Sequence, residues 1–279
     1  MTDRYAVIGY PLGHTISPAF QQAAFDHLGI DATYEAIETL PNNLDKCIVD
    51  LRSGRLTGIN VTIPHKTGVV PLLDEITEAG RLTGAVNTVS NTKMGLRGDN
   101  TDVVAIKEAL KSSHIPAGIP CLLIGAGGAA RATLLALLER GDSITIANRT
   151  LSTAERLVNS LCPDSDSATV ALSDPTLPIV VRQSQLIVNA TSIGMKGGST
   201  SAQSPLPNDC LHRGQVVFDI VYRPARTPLL NQATIAGATC LGGLEMLILQ
   251  GAHSFQIWTG RNPPLNVMRK AALQAMKAP

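Results

Sequence analysis

Short apolar runs alternate with stretches of helical period along most of this chain. Tyr5–Gly9 is an apolar run that predicts a strand, and Pro18–Leu28 predicts a helix with Pro18 at its first helical position and Gly29 as its stop. Leu44, Ile48 and Leu51 recur at helical spacing before Gly54. Leu56–Ile63, ended by Pro64, and Val86–Ser90 read as further strands, and Val103–Leu110 as a helix. Strands separated by helices in this way predict an α/β fold with parallel strands.

The polar stretch Ser112–Pro120, broken by Pro and Gly and without period, is the predicted linker. Beyond it Cys121–Ile124 predicts a buried strand and Arg131–Arg140 a helix closed by Gly141. Ser143–Ala147, Leu186–Ala190 and Val216–Ile220 predict strands, and Ser152 with Glu155 predicts a capping box. Two last helices, over Leu244–Trp258 and Val267–Met276, have no strand between them and can pack on either domain.

A length of 279 residues exceeds the usual single-domain range, so two domains are expected. The net charge of +1 gives no electrostatic footprint for nucleic acid or an anionic membrane. Five scattered cysteines without a C-x-x-C pair predict reduced thiols and a cytoplasmic setting. The histidines lack metal-ligand spacing, so no metal is expected. The N-terminal residues have no secretory pattern and no apolar run reaches membrane length.

The run after the Cys121–Ile124 strand carries G-x-G-x-x-A, at Gly125, Gly127 and Ala130. Between a buried strand and a helix, that pattern points to a dinucleotide: Gly125 for the tight turn, Gly127 for backbone approach to a pyrophosphate, Ala130 for close helix packing. NAD sites usually place an acid about 20 residues on, against the ribose 2′-hydroxyl. Here Asn148-Arg149-Thr150 stands at that place, and a guanidinium suits a 2′-phosphate, so NADP is expected ahead of NAD, with NAD left open.

Before the linker, polar residues gather at strand ends: Asn60 and Thr62 on one strand face with Lys66 just beyond Pro64, then Gly84–Thr88, Gly98–Asp102 and Gly13–Pro18. Such clusters suit a small, hydroxyl-rich, acidic ligand. Lys66 can pair with a carboxylate and move a proton. Each residue also has a plain reading: Ser17 as an N-cap, Asn100 and Asp102 as turn or cap residues, Asn60 as a partner of local backbone.

As an ordered set these segments resemble the shikimate dehydrogenase family and its quinate-using relatives. The matching runs are Val7-Ile8-Gly9, Pro11, His14–Pro18, Asn60–Lys66, Gly84–Thr88, Gly98–Asp102, Gly125–Ala129, Asn148–Thr150, Asn189–Ser192 and Gly242–Leu247 with Gln250. The resemblance implies a substrate-binding α/β domain over 1–103, with 245–279 packing back on it. It also implies a doubly wound NADP-binding domain over 104–244, with a cleft between the two. Lys66 and Asp102, meeting across that cleft, would be the catalytic pair, and which of them transfers the proton stays open. Thr15, Ser17, Asn60, Thr62, Asn87, Tyr222 and Gln250 would contact substrate. Gly125, Ala126, Gly127, Gly128, Ala129, Asn148, Arg149, Thr150, Thr191, Ile220, Gly243 and Met246 would contact the cofactor. The implied reaction is reversible NADPH-dependent reduction of 3-dehydroshikimate to shikimate, in aromatic amino-acid biosynthesis, by a monomer or homodimer. Quinate stays open as a substrate, because Thr15 replaces the first serine of the family's H-S-x-S-P. Thr153 stands where NADP-preferring members often carry a second arginine, which predicts a weaker NADP preference.

Overall fold

A computed structural model describes residues 2–13 and 15–277; His14, part of the fourth polar cluster, lies outside the described residues. The chain forms two compact units, one made of the residues up to Ala105 and from Leu247 onward, the other of Ile106–Met246.

The first unit holds β1 (Asp3–Gly9), α1 (Ser17–His27), β2 (Ala32–Glu38), α2 (Leu44–Arg52), β3 (Gly58–Val61), β4 (Glu75–Ile76), α3 (Glu78–Thr83), β5 (Thr88–Thr92) and β6 (Gly95–Asp99). The helix α4 (Thr101–Ser112) begins in it and runs into the second unit. One sheet orders the strands β2-β1-β3-β5-β6-β4. The expectation of parallel strands holds for β2, β1 and β3 and fails at β5, which runs antiparallel to both β3 and β6. Side chains of a strand alternate between faces, and β1 shows the result. Ala6 and Ile8 enter a core with Ile48, Leu51, Ile59, Val61 and Leu96. Tyr5 instead stacks on Phe25 and meets Trp258, with ring centroids 5.1 and 4.9 Å apart.

The second unit is a six-stranded parallel sheet. In chain order it contains β7 (Pro120–Ile124), α5 (Gly128–Glu139), β8 (Ser143–Asn148), α6 (Leu151–Leu161), β9 (Ala168–Ala171), α7 (Leu177–Gln183), β10 (Leu186–Asn189), β11 (Val216–Asp219), α8 (Pro228–Ile235) and β12 (Thr239–Gly242). The strand order β12-β11-β10-β7-β8-β9 is the doubly wound arrangement, with its switch point between β7 and β10. The helix α9 (Leu244–Thr259) starts in this unit and ends in the first, where α10 (Leu265–Lys277) packs on α1.

Three local expectations are corrected. Residues 112–120 are no linker, since the division between units falls inside α4 and α9. Ser17 is the first residue of α1 rather than its cap; Ile16 holds the cap position and no side chain caps there. Ser152 lies within α6, whose cap residue Thr150 makes no side-chain cap bond, so the capping box is absent. All five cysteines are free thiols, four buried and Cys240 exposed. Burial pushes the Cys121 and Cys210 thiols up from their ordinary value.

Candidate active site

The end of β1 and the loop after β3 are built around close backbone approach. A Cβ at Gly9 would fall 2.8 Å from the Ile63 carbonyl oxygen and onto the Thr62 side chain. Glycine lets the loop cross there, and Thr62 N–H donates to Ile8 O at 2.9 Å while Tyr10 N–H donates to Ile63 O at 2.9 Å. The loop then carries Lys66, whose carbonyl accepts from Val86 N–H at 2.7 Å. Its neighbour His65 turns away, its Nε2 lying 2.7 Å from Thr39 O.

From the other direction, the Asn100 amide donates to Ala85 O at 2.9 Å, and its carbonyl oxygen accepts from Asp102 N–H at 3.2 Å. Asp102 therefore sits in the first turn of α4, where the helix's positive end attracts a carboxylate. The two clusters meet at a single bond: Lys66 Nζ donates to Asp102 Oδ2 at 2.5 Å. Both residues belong to the first unit, so the pair forms inside one unit rather than across a cleft. Asp102 is 3% exposed and Lys66 14%, leaving the ammonium as the accessible member.

Asn87 organises the surroundings. Its Nδ2 lies 2.8 Å from Asp102 Oδ1, 2.9 Å from Thr101 Oγ1 and 3.2 Å from Gln250 Oε1. Its Oδ1 accepts from Thr101 N–H at 2.8 Å. Lys66, Asp102, Asn87 and Gln250 thus form one connected set. Thr15 and Ser17 share a local bond, Ser17 N–H donating to Thr15 Oγ1 at 3.4 Å, and Thr62 is half-buried.

Beneath this set lies a buried layer that the sequence reading missed. Ser254 Oγ lies 2.9 Å from Asn60 Nδ2, 2.7 Å from Thr88 Oγ1 and 3.3 Å from Thr101 Oγ1, and it donates to Gln250 O. Asn60 Oδ1 accepts from the Tyr34 hydroxyl at 2.7 Å, and burial raises that phenol well above its ordinary value, keeping it a donor. Ser254 follows Gln250 by four residues on α9, one helical turn, which is the signal that could have revealed it.

The second unit carries the glycine loop at its switch point. Gly125 has φ +112°, and a Cβ there would lie 2.9 Å from Thr191 Cγ2 and 3.1 Å from Ala190 O, so only glycine is unstrained. Gly127 is exposed with open space where a side chain would be. It caps α5 with no side-chain bond and no acid in the first turn. Free N–H groups, a positive helix end and an open glycine suit a pyrophosphate. On the same side, Asn189 Oδ1 accepts from Thr191 Oγ1 at 2.7 Å, while Asn189 Nδ2 donates to buried Asp219 Oδ1 at 2.9 Å. Asp219 also accepts from Val221 N–H and, at 2.6 Å, from the Thr227 hydroxyl. A Cβ at Gly243 would overlap the Ile220 carbonyl, and Met246 is buried. Asn148 Nδ2 donates to Thr150 O at 2.9 Å, with Arg149 exposed beside it; Tyr222, two residues past Val216–Ile220, is half-buried.

The shikimate dehydrogenase substrate-binding domain model matches residues 7–89, the shikimate/quinate 5-dehydrogenase model residues 109–220, and the shikimate 5′-dehydrogenase C-terminal domain model residues 243–273. A shikimate dehydrogenase (NADP(+)) of Geobacter metallireducens is 39% identical over 277 residues, covering 97% of this chain and 96% of that one. The chain belongs to the shikimate dehydrogenase family. Another relative carrying the family name, from Methanopyrus kandleri, is 38% identical, covering 99% of this chain and 97% of its own. Among solved structures, the shikimate 5-dehydrogenase of Thermus thermophilus, in complex with NADP(H) and shikimate, aligns with a TM-score of 0.88. It is 36% identical, over 98% of this chain and 99% of that one. The family's two-domain α/β plan, with a doubly wound second domain, is the fold observed here.

Proposed function

We infer that this protein is an NADP-dependent shikimate dehydrogenase that interconverts 3-dehydroshikimate and shikimate. The observation carrying this reading is the Lys66–Asp102 contact of 2.5 Å, with Asn87 bonded both to Asp102 and to Gln250, in a chain of this family.

When bound, NADPH would supply the hydride for reduction of the substrate's ketone. The glycine loop Gly125–Ala129 and the start of α5 would hold its pyrophosphate. Asn148, Arg149 and Thr150 would bind the adenosine side, and Thr191, Ile220, Gly243 and Met246 would line the rest. As the ketone carbon is reduced, its oxygen needs a proton, and in the reverse direction the hydroxyl must lose one. Lys66 has three N–H groups and Asp102 takes one, so the ammonium can also reach a substrate oxygen. Asp102, fixed by Asn87 and by the helix start, holds that ammonium in line. Positioning of this kind is worth about 7–11 kcal/mol of barrier when the geometry is right. Thr15, Ser17 and Thr62 would supply hydroxyls for a polyhydroxylated ring acid. Asn60, whose amide faces Tyr34, Thr88 and Ser254, supports Asn87 from below.

Five unpaired thiols support a cytoplasmic setting. Quinate is the second reading, because the matched family model spans both substrates and Thr15 adds a methyl group beside the expected ligand. The two acids differ by one ring hydroxyl, and a site built to bond that hydroxyl discriminates strongly against the analogue lacking it. Initial rates on shikimate and quinate, each with NADP+ and NAD+, test the assignment: shikimate with NADP+ is expected to be fastest. No turnover of either acid would end the enzyme reading.

A further inference from the structure

The helices α1 and α9 meet through buried rings. Phe25 lies against Phe255 with ring centroids 5.1 Å apart, and Phe20 crosses α9 at Gly251, where a Cβ would fall 2.5 Å from Phe20 Cε2. An amide joins the two helices at the same crossing. Gln21, fully buried, donates from Nε2 to Gly251 O at 2.9 Å. Its Oε1 is the one buried side-chain nitrogen or oxygen among the described residues that has no hydrogen-bond partner.

The direction of this amide is fixed by its partner. A backbone carbonyl only accepts, so Nε2 must face Gly251 O, and turning the amide over would set two acceptors against each other. A buried acceptor without a donor costs stability, whereas methionine or leucine would fill similar space with nothing left unsatisfied. Packing of α1 on α9 therefore gains nothing from the unmet oxygen. What the amide adds is the Nε2 bond, a directed link from one helix to the backbone of the other.

Each end of that link leads to the site. Ser17 precedes Gln21 by four residues on α1, one turn away on the same face, and is itself buried. Gly251 directly follows Gln250, whose Oε1 lies 3.2 Å from Asn87 Nδ2 and whose Nε2 donates to Leu247 O at 2.8 Å. Asn87 in turn holds Asp102. All of these residues belong to the first unit.

We propose, resting on the assignment of shikimate to this site, that Gln21 is a positioning residue that sets the spacing of Ser17 and Gln250 and with it the fit of the ring acid. Groups that bond a ligand must be held to within about 0.5 Å of their working geometry. Packed helices slide past one another by small shear motions, and a directed bond to a backbone atom opposes that sliding.

Gln21→Met and Gln21→Leu are compared with the parent in steady state, with shikimate and NADP+ varied separately, at a temperature well below every unfolding midpoint. Both variants keep an apolar side chain in the core, so their midpoints are expected to equal or exceed the parent's. KM for shikimate should rise about five- to tenfold, the usual worth of one hydrogen bond, while kcat and KM for NADP+ stay within about twofold. On a Ser17→Ala background the same substitution should add less than about twofold, because a residue acting through another loses its effect when that other is gone. KM for shikimate at the parent value, whatever the midpoint does, overturns the proposal and leaves the substrate assignment standing. A full further rise on Ser17→Ala overturns it as well. A parent that does not turn over shikimate overturns both.

Discussion

At the scale of single residues, two buried or half-buried charges behave differently, and each makes a prediction. Lys66 is joined to Asp102 and keeps N–H groups for a ligand, so under the proposed mechanism its loss should remove proton transfer. Lys66→Ala is expected to lower kcat by about 10²–10⁴-fold, the usual worth of a positioned acid–base group. A correctly folded variant with near-normal turnover, seen in steady-state kinetics beside a matching circular dichroism spectrum, would remove Lys66 from the mechanism. Asp219 in the second unit is the contrasting case. Burial pushes its carboxyl up to about 6, against the hydrogen bonds from Thr227, Val221 and Asn189 that pull it down. Between its ordinary 3.8 and about 6 the folded chain then holds the proton more tightly than the unfolded chain. Stability contributed by this group accordingly falls as pH rises through that window, and the penalty stands in full above it. The gap corresponds to roughly 3 kcal/mol at most. Asp219→Asn is expected to flatten this slope, read as the difference between urea unfolding at pH 4.5 and pH 7. Equal slopes in variant and parent would assign the titration to another group.

At the scale of elements, glycine positions carry the constraints that the fold cannot relax. A Cβ at Gly243 would overlap the Ile220 carbonyl, a backbone atom that no rotamer change can move. Gly243→Ala should therefore cost about 1–3 kcal/mol of stability, as overpacking does, and weaken cofactor binding along with it. Unfolding midpoints and NADPH titration check both, and an unshifted midpoint would show that the backbone gives way freely. Elements built on strong patterns were legible in the sequence: Tyr5–Gly9, Cys121–Ile124 and the glycine loop follow from apolar runs and turn chemistry. Edge and connecting pieces were not. β2 alternates buried Ala32 and Tyr34 with charged and exposed positions, a pattern that also fits a loop. β9 and β12 are four-residue strands whose pairing comes from their neighbours in the sheet. The start of α8 was readable and overlooked: Thr227 accepts from Leu230 N–H, and Pro228 follows it. Within the site, the Lys66 and Asp102 motifs were visible, but the layer under them was not. Ser254 and Tyr34 look like ordinary helix and strand residues until tertiary packing brings them to Asn60.

At the scale of the whole molecule, the first unit is discontinuous in sequence while the second is a single stretch. The returning segment is no appendage. Phe255, Met268 and Ala272 are fully buried, and Ser254 completes the polar layer under the site. A chain ended after Met246 is expected to lose amide protection in β1, β3 and β5 while β7, β8 and β10 keep theirs, as hydrogen exchange can follow. Uniform protection in both sheets would mean that the first unit holds together without its last helices.

The distribution of sulfur also has a practical use. Four thiols sit in the interior, and Cys240 on β12 alone faces solvent. Alkylation needs the thiolate and access to it, so a maleimide dye offered to the native protein has one address. It would be taken up at close to one equivalent under native conditions and five in denaturant. That single attachment point lies just ahead of Gly242 and Gly243, where the emission of a fluorophore would respond to nucleotide arriving at the turn before α9.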